Sequence, residues 1–383
     1  MAATGSLLRS LSCRACCNDV SPDSLRGVCP TCGQTLFAGY ALDQMDGRHW
    51  WGEVRGRAPT LWRYRELLPV RGDRAVVTLG ETEGPLLRLD GAEPSDVEVW
   101  AKDDGGLPTG SFKARGMAVA VSRAVELGAR RLFAPSAGNA GIALAAYGAR
   151  ARVPVVVYLP ETADERTVAA VERYGAAVVR FGATIREAGE EARRREGGRG
   201  FDLSTLREPY RVEGKKTMAF ETAERFGPEQ LPEVIVYPTG GGTGLVGLHK
   251  GFEELRALGL VSRSPRLIAV QSEGCAPVVR ALQQGAPRVT PWENTTTVAP
   301  GLAVPAPFSS ERVLEAVRAT GGTGIAVSDA EILAAQATLA RVHGLSVAVE
   351  AAAPWAALPA LRRTGAIRAG DRVVLYHTGR GPP

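Results

Sequence analysis

From about residue 98 onward, apolar runs of five to eight residues alternate with stretches of ten to seventeen residues that carry a helical period. This alternation constrains the fold more than any other feature. Strands separated by helices pair in parallel, with the helices packed as crossovers on the sheet. The runs 131–135, 153–159, 177–181, 233–237, 266–271 and 372–376 read as strands. The stretches 114–127, 140–151, 163–174, 185–195, 245–258, 329–343 and 351–363 read as helices, with one more running from just after Glu213 to about 226. Ser111 is placed to cap the first helix. The class is therefore α/β, and 383 residues leave room for two domains and a small appendage. Ligands of such sheets gather where strands end and helices begin. Three turns qualify: 136–139, 239–244 and the strand end at 377–379.

Composition narrows the function classes. Hydrophobic residues make up 45% and charged residues 23%, as expected of a soluble globular chain. The net charge is +5, and it is not gathered into one block. The densest basic run, Arg193 to Arg195 with Arg199, is interleaved with acids and glycines and reads as a solvated helix end, so no nucleic-acid partner is expected. The longest apolar run, 153–160, has eight residues and suits a buried strand, not a membrane span. The first residues lack the apolar centre of a signal peptide, which makes the cytoplasm the expected compartment. Residues 41–95, with Trp50, Trp51 and Trp62, read as a lead-in of loops and short strands.

Four of the six cysteines form two pairs, Cys13-x-x-Cys16 and Cys29-x-x-Cys32, with twelve residues between them. Paired knuckles of this kind set four thiolates at the corners of a tetrahedron, which suits structural zinc. Disulfides and a vestigial site that no longer binds metal are the alternatives. Cys17 and Cys275 stand outside the pattern.

Only five of the 46 basic residues are lysines: Lys102, Lys113, Lys215, Lys216 and Lys250. Where charge alone is needed this chain uses arginine, so a retained lysine marks a place where a primary amine has work to do. Lysine can lose its proton or form a Schiff base; arginine cannot. Lys113 sits in Pro-Thr-Gly-Ser-Phe-Lys, at the entry to a helix. Thr239-Gly240-Gly241-Gly242-Thr243-Gly244 follows a strand and opens another helix. Four glycines in five positions let backbone N–H groups converge on an anion at the helix N-terminus. Gly242-x-Gly244-x-x-Gly247, with Glu273 at the next strand end, also matches a dinucleotide fingerprint. That reading gives Lys113 no task, whereas a cofactor monophosphate with an aldehyde explains both features.

Taken in order, Ser111-Phe112-Lys113, Ser136-Ala137-Gly138-Asn139, Glu213-Gly214-Lys215-Lys216-Thr217, Pro238 to Gly244 and Thr378-Gly379 resemble the pyridoxal-phosphate enzymes of the tryptophan synthase β-subunit fold, and within them the threonine synthases. The resemblance covers about residues 60–380. It implies two three-layer parallel-sheet domains: a small α/β domain at 107–217, a large domain at 218–383 that also takes in part of 41–106, and a zinc-ribbon-like arm at 1–40. It implies that Lys113 holds the cofactor's aldehyde and moves protons. Gly240, Gly241, Gly242 and Thr243 would hold the cofactor phosphate, Asn139 its phenolic oxygen and Thr378 its ring nitrogen. Ser136, Ala137 and Gly138 would take the substrate carboxylate, and Ser204, Arg211 and Lys215 the phosphate of O-phosphohomoserine. A homodimer is the family's expectation.

The cofactor motifs are intact and the substrate motifs depart from the family pattern. Ala114 stands where Asp is frequent, Ala140 where Thr is frequent, and Thr378-Gly379-Arg380-Gly381 lacks the following lysine. Related reactions on the same scaffold therefore remain alternatives: β-replacement on O-phosphoserine, as in cysteate synthase, or deamination of threonine or serine.

Overall fold

The computed structural model describes residues 5–91 and 95–381, and the chain divides into two compact units. The first comprises residues 1–46, 56–82 and 113–215. Its centre is a four-stranded parallel sheet ordered Ala177–Arg180, Val155–Leu159, Leu132–Pro135 and Phe201–Asp202. Val155 to Leu159 are all buried, as β-branched runs covered on both faces by helices should be. The helices Lys113–Glu126 and Asn139–Ala151 pack together in this unit. Leu203 N–H donates to Phe133 O (2.8 Å), extending the pairing of the 201–202 strand. Residues 136–139 and 202–204 therefore leave from the carboxyl ends of neighbouring strands.

The same unit contains the cysteine-rich arm. Three strands, Asp19–Val20, Leu8–Ser12 and Phe37–Tyr40, form a small antiparallel sheet in that order. Leu8, Leu11, Leu36 and Phe37 are its buried apolar residues, too few to hold a free-standing domain.

The second unit comprises residues 47–55, 83–112 and 216–383. Its six strands run in the order Gly324–Val327, Arg266–Ser272, Val234–Pro238, Arg372–His377, Glu98–Asp103 and Leu86–Arg88. All pairs are parallel except the last, at the edge. Its core joins Val234, Val236, Ile268, Val270, Val373 and Leu375 to the helix Val349–Arg363. Each such side chain, fully buried, contributes roughly 1.5–3 kcal/mol before the entropy of ordering is subtracted.

Every strand and helix predicted from about residue 98 onward is present, with boundaries shifted by a few residues. Three local expectations are corrected. Trp50 and Trp51 lie on a helix, Gly47–Arg55, not in a loop or strand. The helix expected after Glu213 begins at Tyr210, so that Arg211 and Lys215 ride on its first turns. Ser111 does not cap: its buried hydroxyl meets no hydrogen-bond partner among the described residues. No helix among those residues is long and apolar enough to cross a membrane.

Candidate active site

In the second unit the glycine-rich turn is fixed at its root. Thr239 N–H donates to Val270 O (2.7 Å), its hydroxyl donates to Tyr237 O (2.9 Å), and Gln271 Nε2 donates to Thr239 O (3.1 Å). The glycines are demanded by geometry. A Cβ on Gly240 would lie 2.2 Å from Gly301 O; Gly242 has φ +72° and its Cβ would lie 2.4 Å from Val313. The helix Thr243–Ala257 then starts with no side chain capping it. Its first N–H groups are left to an external anion, with the helix dipole behind them.

The strand Arg372–His377 is a direct neighbour of Val234–Pro238, so Thr378 leaves the sheet beside that turn. Phe112 N–H donates to Thr378 O (3.0 Å), and Arg380 N–H to Gly110 O (2.9 Å). The strand end is thereby tied to the segment that leads into Lys113. That segment is strained and polar inside: Thr109 takes φ +62°, and the buried hydroxyls of Thr109 and Ser111 lack hydrogen-bond partners among the described residues. A buried hydroxyl left unsatisfied is costly, and a ligand's polar atoms would relieve it.

In the first unit Lys113 opens its helix. The helix Tyr210–Phe226 crosses it at glycines. A Cβ on Gly214 would lie 1.9 Å from Arg115 O, and one on Gly116 would lie 3.0 Å from Arg211 O and 3.3 Å from Lys215 Cε. This crossing sets Arg211 and Lys215 beside the first turn of the Lys113 helix. Both are buried. Arg211 Nη1 donates to Leu203 O (2.8 Å) and Thr205 Oγ1 (3.4 Å). Burial first, and then the positive charges of Arg211 and Lys113, push the Lys215 amine well below the ordinary lysine range. Glu208 accepts N–H bonds from Tyr210 (2.7 Å) and Arg211 (3.1 Å) at the helix start. Burial outweighs those bonds and its cationic neighbours and raises its carboxyl to about 7. Ser204 donates both N–H and hydroxyl to Asp202.

Ser136, Ala137, Gly138 and Asn139 form the turn from strand Leu132–Pro135 into helix Asn139–Ala151. Ser136 Oγ accepts from Gly141 N–H (2.8 Å). Gly138 offers no side-chain cap, so a second helix N-terminus faces a potential anion.

The first unit thus brings Lys113, Arg211, Lys215, Glu208, Ser204 and the 136–139 turn onto one set of elements. The second holds the 240–243 turn and Thr378. Sequence reasoning missed Glu208 and the crossing glycines Gly116 and Gly214. The signal for Glu208 was present: an acid followed by Pro209, directly ahead of a helix.

The other lysines have a different character. Lys102 Nζ lies 2.8 Å from Glu221, 3.6 Å from Asp104 and 2.8 Å from Gly84 O. Lys216 lies 2.8 Å from Glu254, which Lys250 also contacts.

In the arm, the sulfurs of Cys13, Cys16, Cys29 and Cys32 all lie within 4.8 Å of one another. Cys13 and Cys32 are 3.5 Å apart, and Cys16 and Cys29 3.6 Å. A disulfide would need about 2.05 Å, whereas four thiolates at about 2.3 Å from a tetrahedral ion stand roughly 3.8 Å apart. The donor set and spacing fit zinc.

Residues 77–379 match the profile of the family described as pyridoxal-phosphate dependent enzyme. The threonine synthase of Methanosarcina acetivorans is 37% identical over 374 residues, covering 96% of this chain and 91% of the relative. That of Methanocaldococcus jannaschii is 32% identical over 372 residues, with the same shares. Among solved structures, the processed form of threonine deaminase isoform 2 from Solanum lycopersicum superposes with a TM-score of 0.68 at 20% identity, covering 95% of both chains. Maize serine racemase gives 0.67 at 19% identity, over 79% of this chain and 89% of its own. These two likenesses concern the fold.

Proposed function

The chain belongs to the pyridoxal-phosphate-dependent enzymes and, within them, to the threonine synthases, and we propose on that premise that it converts O-phospho-L-homoserine and water to L-threonine and phosphate. The observation that carries the proposal is the buried Arg211–Lys215 pair beside the first turn of the Lys113 helix. Burying these cations costs free energy that the one buried acid beside both, Glu208, offsets only in part, and an arriving dianion would offset more of it. A phosphorylated substrate brings one.

The chain's residues fit the cofactor. The glycines that tolerate no Cβ and the uncapped helix at Thr243 suit its phosphate. Lys113 supplies the amine that holds it, Asn139 a donor for its phenolic oxygen, and Thr378 a hydroxyl for its ring nitrogen. When bound, it supplies an electron sink that acidifies the substrate's Cα–H. Lys113 Nζ takes that proton and returns protons during the later steps. Arg211, Lys215 and Ser204 hold the γ-phosphate and neutralise the charge that develops as it departs. Ser136 to Gly138, at a helix N-terminus, orient the carboxylate. The Thr378 hydroxyl would accept or donate one hydrogen bond at the ring nitrogen without carrying a charge, a partner suited to elimination and replacement chemistry.

Structural zinc on Cys13, Cys16, Cys29 and Cys32 belongs to the same proposal, as do residence in the cytoplasm, which rests on the character of the first residues, and a homodimer, which rests on the family resemblance. A second reading is favoured by Ala114 and Ala140, which lack the polar groups frequent there in the family: β-replacement on O-phosphoserine, or deamination of threonine or serine. Product analysis separates the two. Protein loaded with pyridoxal phosphate is incubated with each candidate. Threonine and phosphate in equal amounts from O-phosphohomoserine support the proposal. Turnover of O-phosphoserine, serine or threonine alone would replace it with the second reading.

A further inference from the structure

The arm reaches the segment that carries Ser204 and Arg211. Thr35, three residues after Cys32, is 3% exposed, and its hydroxyl donates to Leu206 O at 2.5 Å. Gly27, two residues before Cys29, lies so close to the next residue that a Cβ on it would be 2.6 Å from Arg207 O. Tyr40 donates to Glu213 Oε2 (2.8 Å). Pro22 O accepts from Arg123 Nη2 (2.8 Å), and the charge of Arg123 acts on the phenol of Tyr210, the first residue of the Arg211 helix. Leu206 holds φ +58°, a region that a branched L-residue avoids. Its carbonyl is the group Thr35 binds. The turn Leu206–Arg207–Glu208 is therefore shaped from outside, by the second cysteine knuckle, and leads directly into Arg211.

The knuckle has little of its own to keep its shape. Its internal backbone bonds are Cys29 N–H to Gln34 O (2.8 Å) and Gly33 N–H to Cys29 O (2.9 Å). It is linked to the first knuckle by the exposed Asn18–Thr31 bond (3.0 Å). Four thiolates on one ion would supply the missing rigidity, since metal binding in so small a ribbon is folding free energy.

We propose that the four-cysteine arm is a positioning element for the substrate-phosphate segment. A tetrahedral thiolate-bound metal fixes the Cys29–Cys32 knuckle, the knuckle holds the Leu206–Arg207 turn through Thr35 and Gly27, and the turn aims Arg211 and Ser204. Metal release or oxidation of the thiols is then felt as lost affinity for phosphorylated substrate, with the cofactor still bound. Thr35 acts through Arg211 and touches no reacting atom. The inference rests on the reading of the Ser204–Arg211 segment as the phosphate site.

The experiment uses the pyridoxal-phosphate-loaded, full-length protein. Zinc is measured in it by elemental analysis, then released with an organomercurial and a chelator and restored with Zn²⁺. Hydrogen exchange over residues 203–212 is followed in each state, together with KM and kcat for O-phosphohomoserine. Thr35→Val, which keeps all four cysteines, and Thr35→Ser, which keeps the hydroxyl, are measured alongside. The expected result is bound zinc, faster exchange over 203–212 in zinc-free protein and in Thr35→Val, and a KM raised about tenfold with kcat and the cofactor's absorbance retained. Thr35→Ser should restore both. Unchanged exchange over 203–212 after zinc release and in Thr35→Val would overturn the inference, as would protein that neither contains zinc nor takes it up. If O-phosphohomoserine is not turned over while exchange responds to zinc, the coupling stands and the substrate reading has failed.

Discussion

Lys215 and Lys216 are neighbours in sequence, both buried, and they belong to opposite electrostatic worlds. In the unit that the chain re-enters at Lys216, buried ammonium groups are matched. Lys216 and Lys250 share Glu254, and Lys102 sits between Glu221 and Asp104. In the other unit Lys215 lies beside Arg211 and Lys113 with one buried acid, Glu208, near them, and burial pushes its amine towards the neutral form. Matched buried charges hold a structure's specificity, and breaking one partner is expensive. Buried cations that outnumber the acid beside them cost stability, and the proposed substrate phosphate would offset that cost. The retained lysines of this arginine-rich chain thus do two jobs, and only the surroundings tell which.

The comparison can be broken at either end. The largest effect is expected on the functional side. Lys113→Ala should abolish turnover, and borohydride should no longer fix the cofactor to the chain; undiminished labelling would show that another amine holds it. On the structural side, Lys102→Met leaves Glu221 and Asp104 buried without their cation and should destabilise the protein by about 3–5 kcal/mol, read by denaturant unfolding. The same unit carries a pH limit. His377 is fully buried, neither ring nitrogen has a hydrogen-bond partner among the described residues, and burial lowers its pKa from 6.5 to about 4. A depressed pKa means that its contribution is complete above pH 6.5 and is lost as the pH falls towards 4. It amounts to roughly 3 kcal/mol. His377→Leu should flatten the stability profile across that window, and an unaltered acid slope would show that other groups set it. The smallest effect is expected from Ser204→Ala. Its hydroxyl, which donates to Asp202 in the unliganded protein, would turn to the phosphate; loss of that one hydrogen bond should raise KM roughly threefold to tenfold.

Much of this arrangement is legible in the sequence, for identifiable reasons. Buried parallel strands are written as Val-Val-Val-Tyr-Leu and Val-Ile-Val-Tyr, which suit little else. The 240–244 turn shows because its geometry excludes a Cβ at 240, 242 and 244, so glycine is forced there. The short strand Gly324–Val327 and the helices Pro277–Gln283 and Ser310–Ala319 give weaker patterns and are fixed by packing on their neighbours. Glu208 shows locally only as an acid ahead of a helix start. Its importance lies in complete burial beside Arg211 and Lys215, and no local pattern encodes that. The arm's contact with Leu206 likewise joins residues 171 positions apart.

On the proposed function, Lys215 is placed for the substrate's phosphate at the expense of stability. Lys215→Met keeps the length of the side chain and removes its charge. Its KM for O-phosphohomoserine and its melting temperature, measured on the same preparation, test the claim most directly. The account predicts a KM raised at least about tenfold and a melting temperature equal to or above that of the unaltered protein. A melting temperature lowered by several degrees with KM unchanged would place Lys215 with Lys102 and Lys216, as a structural cation.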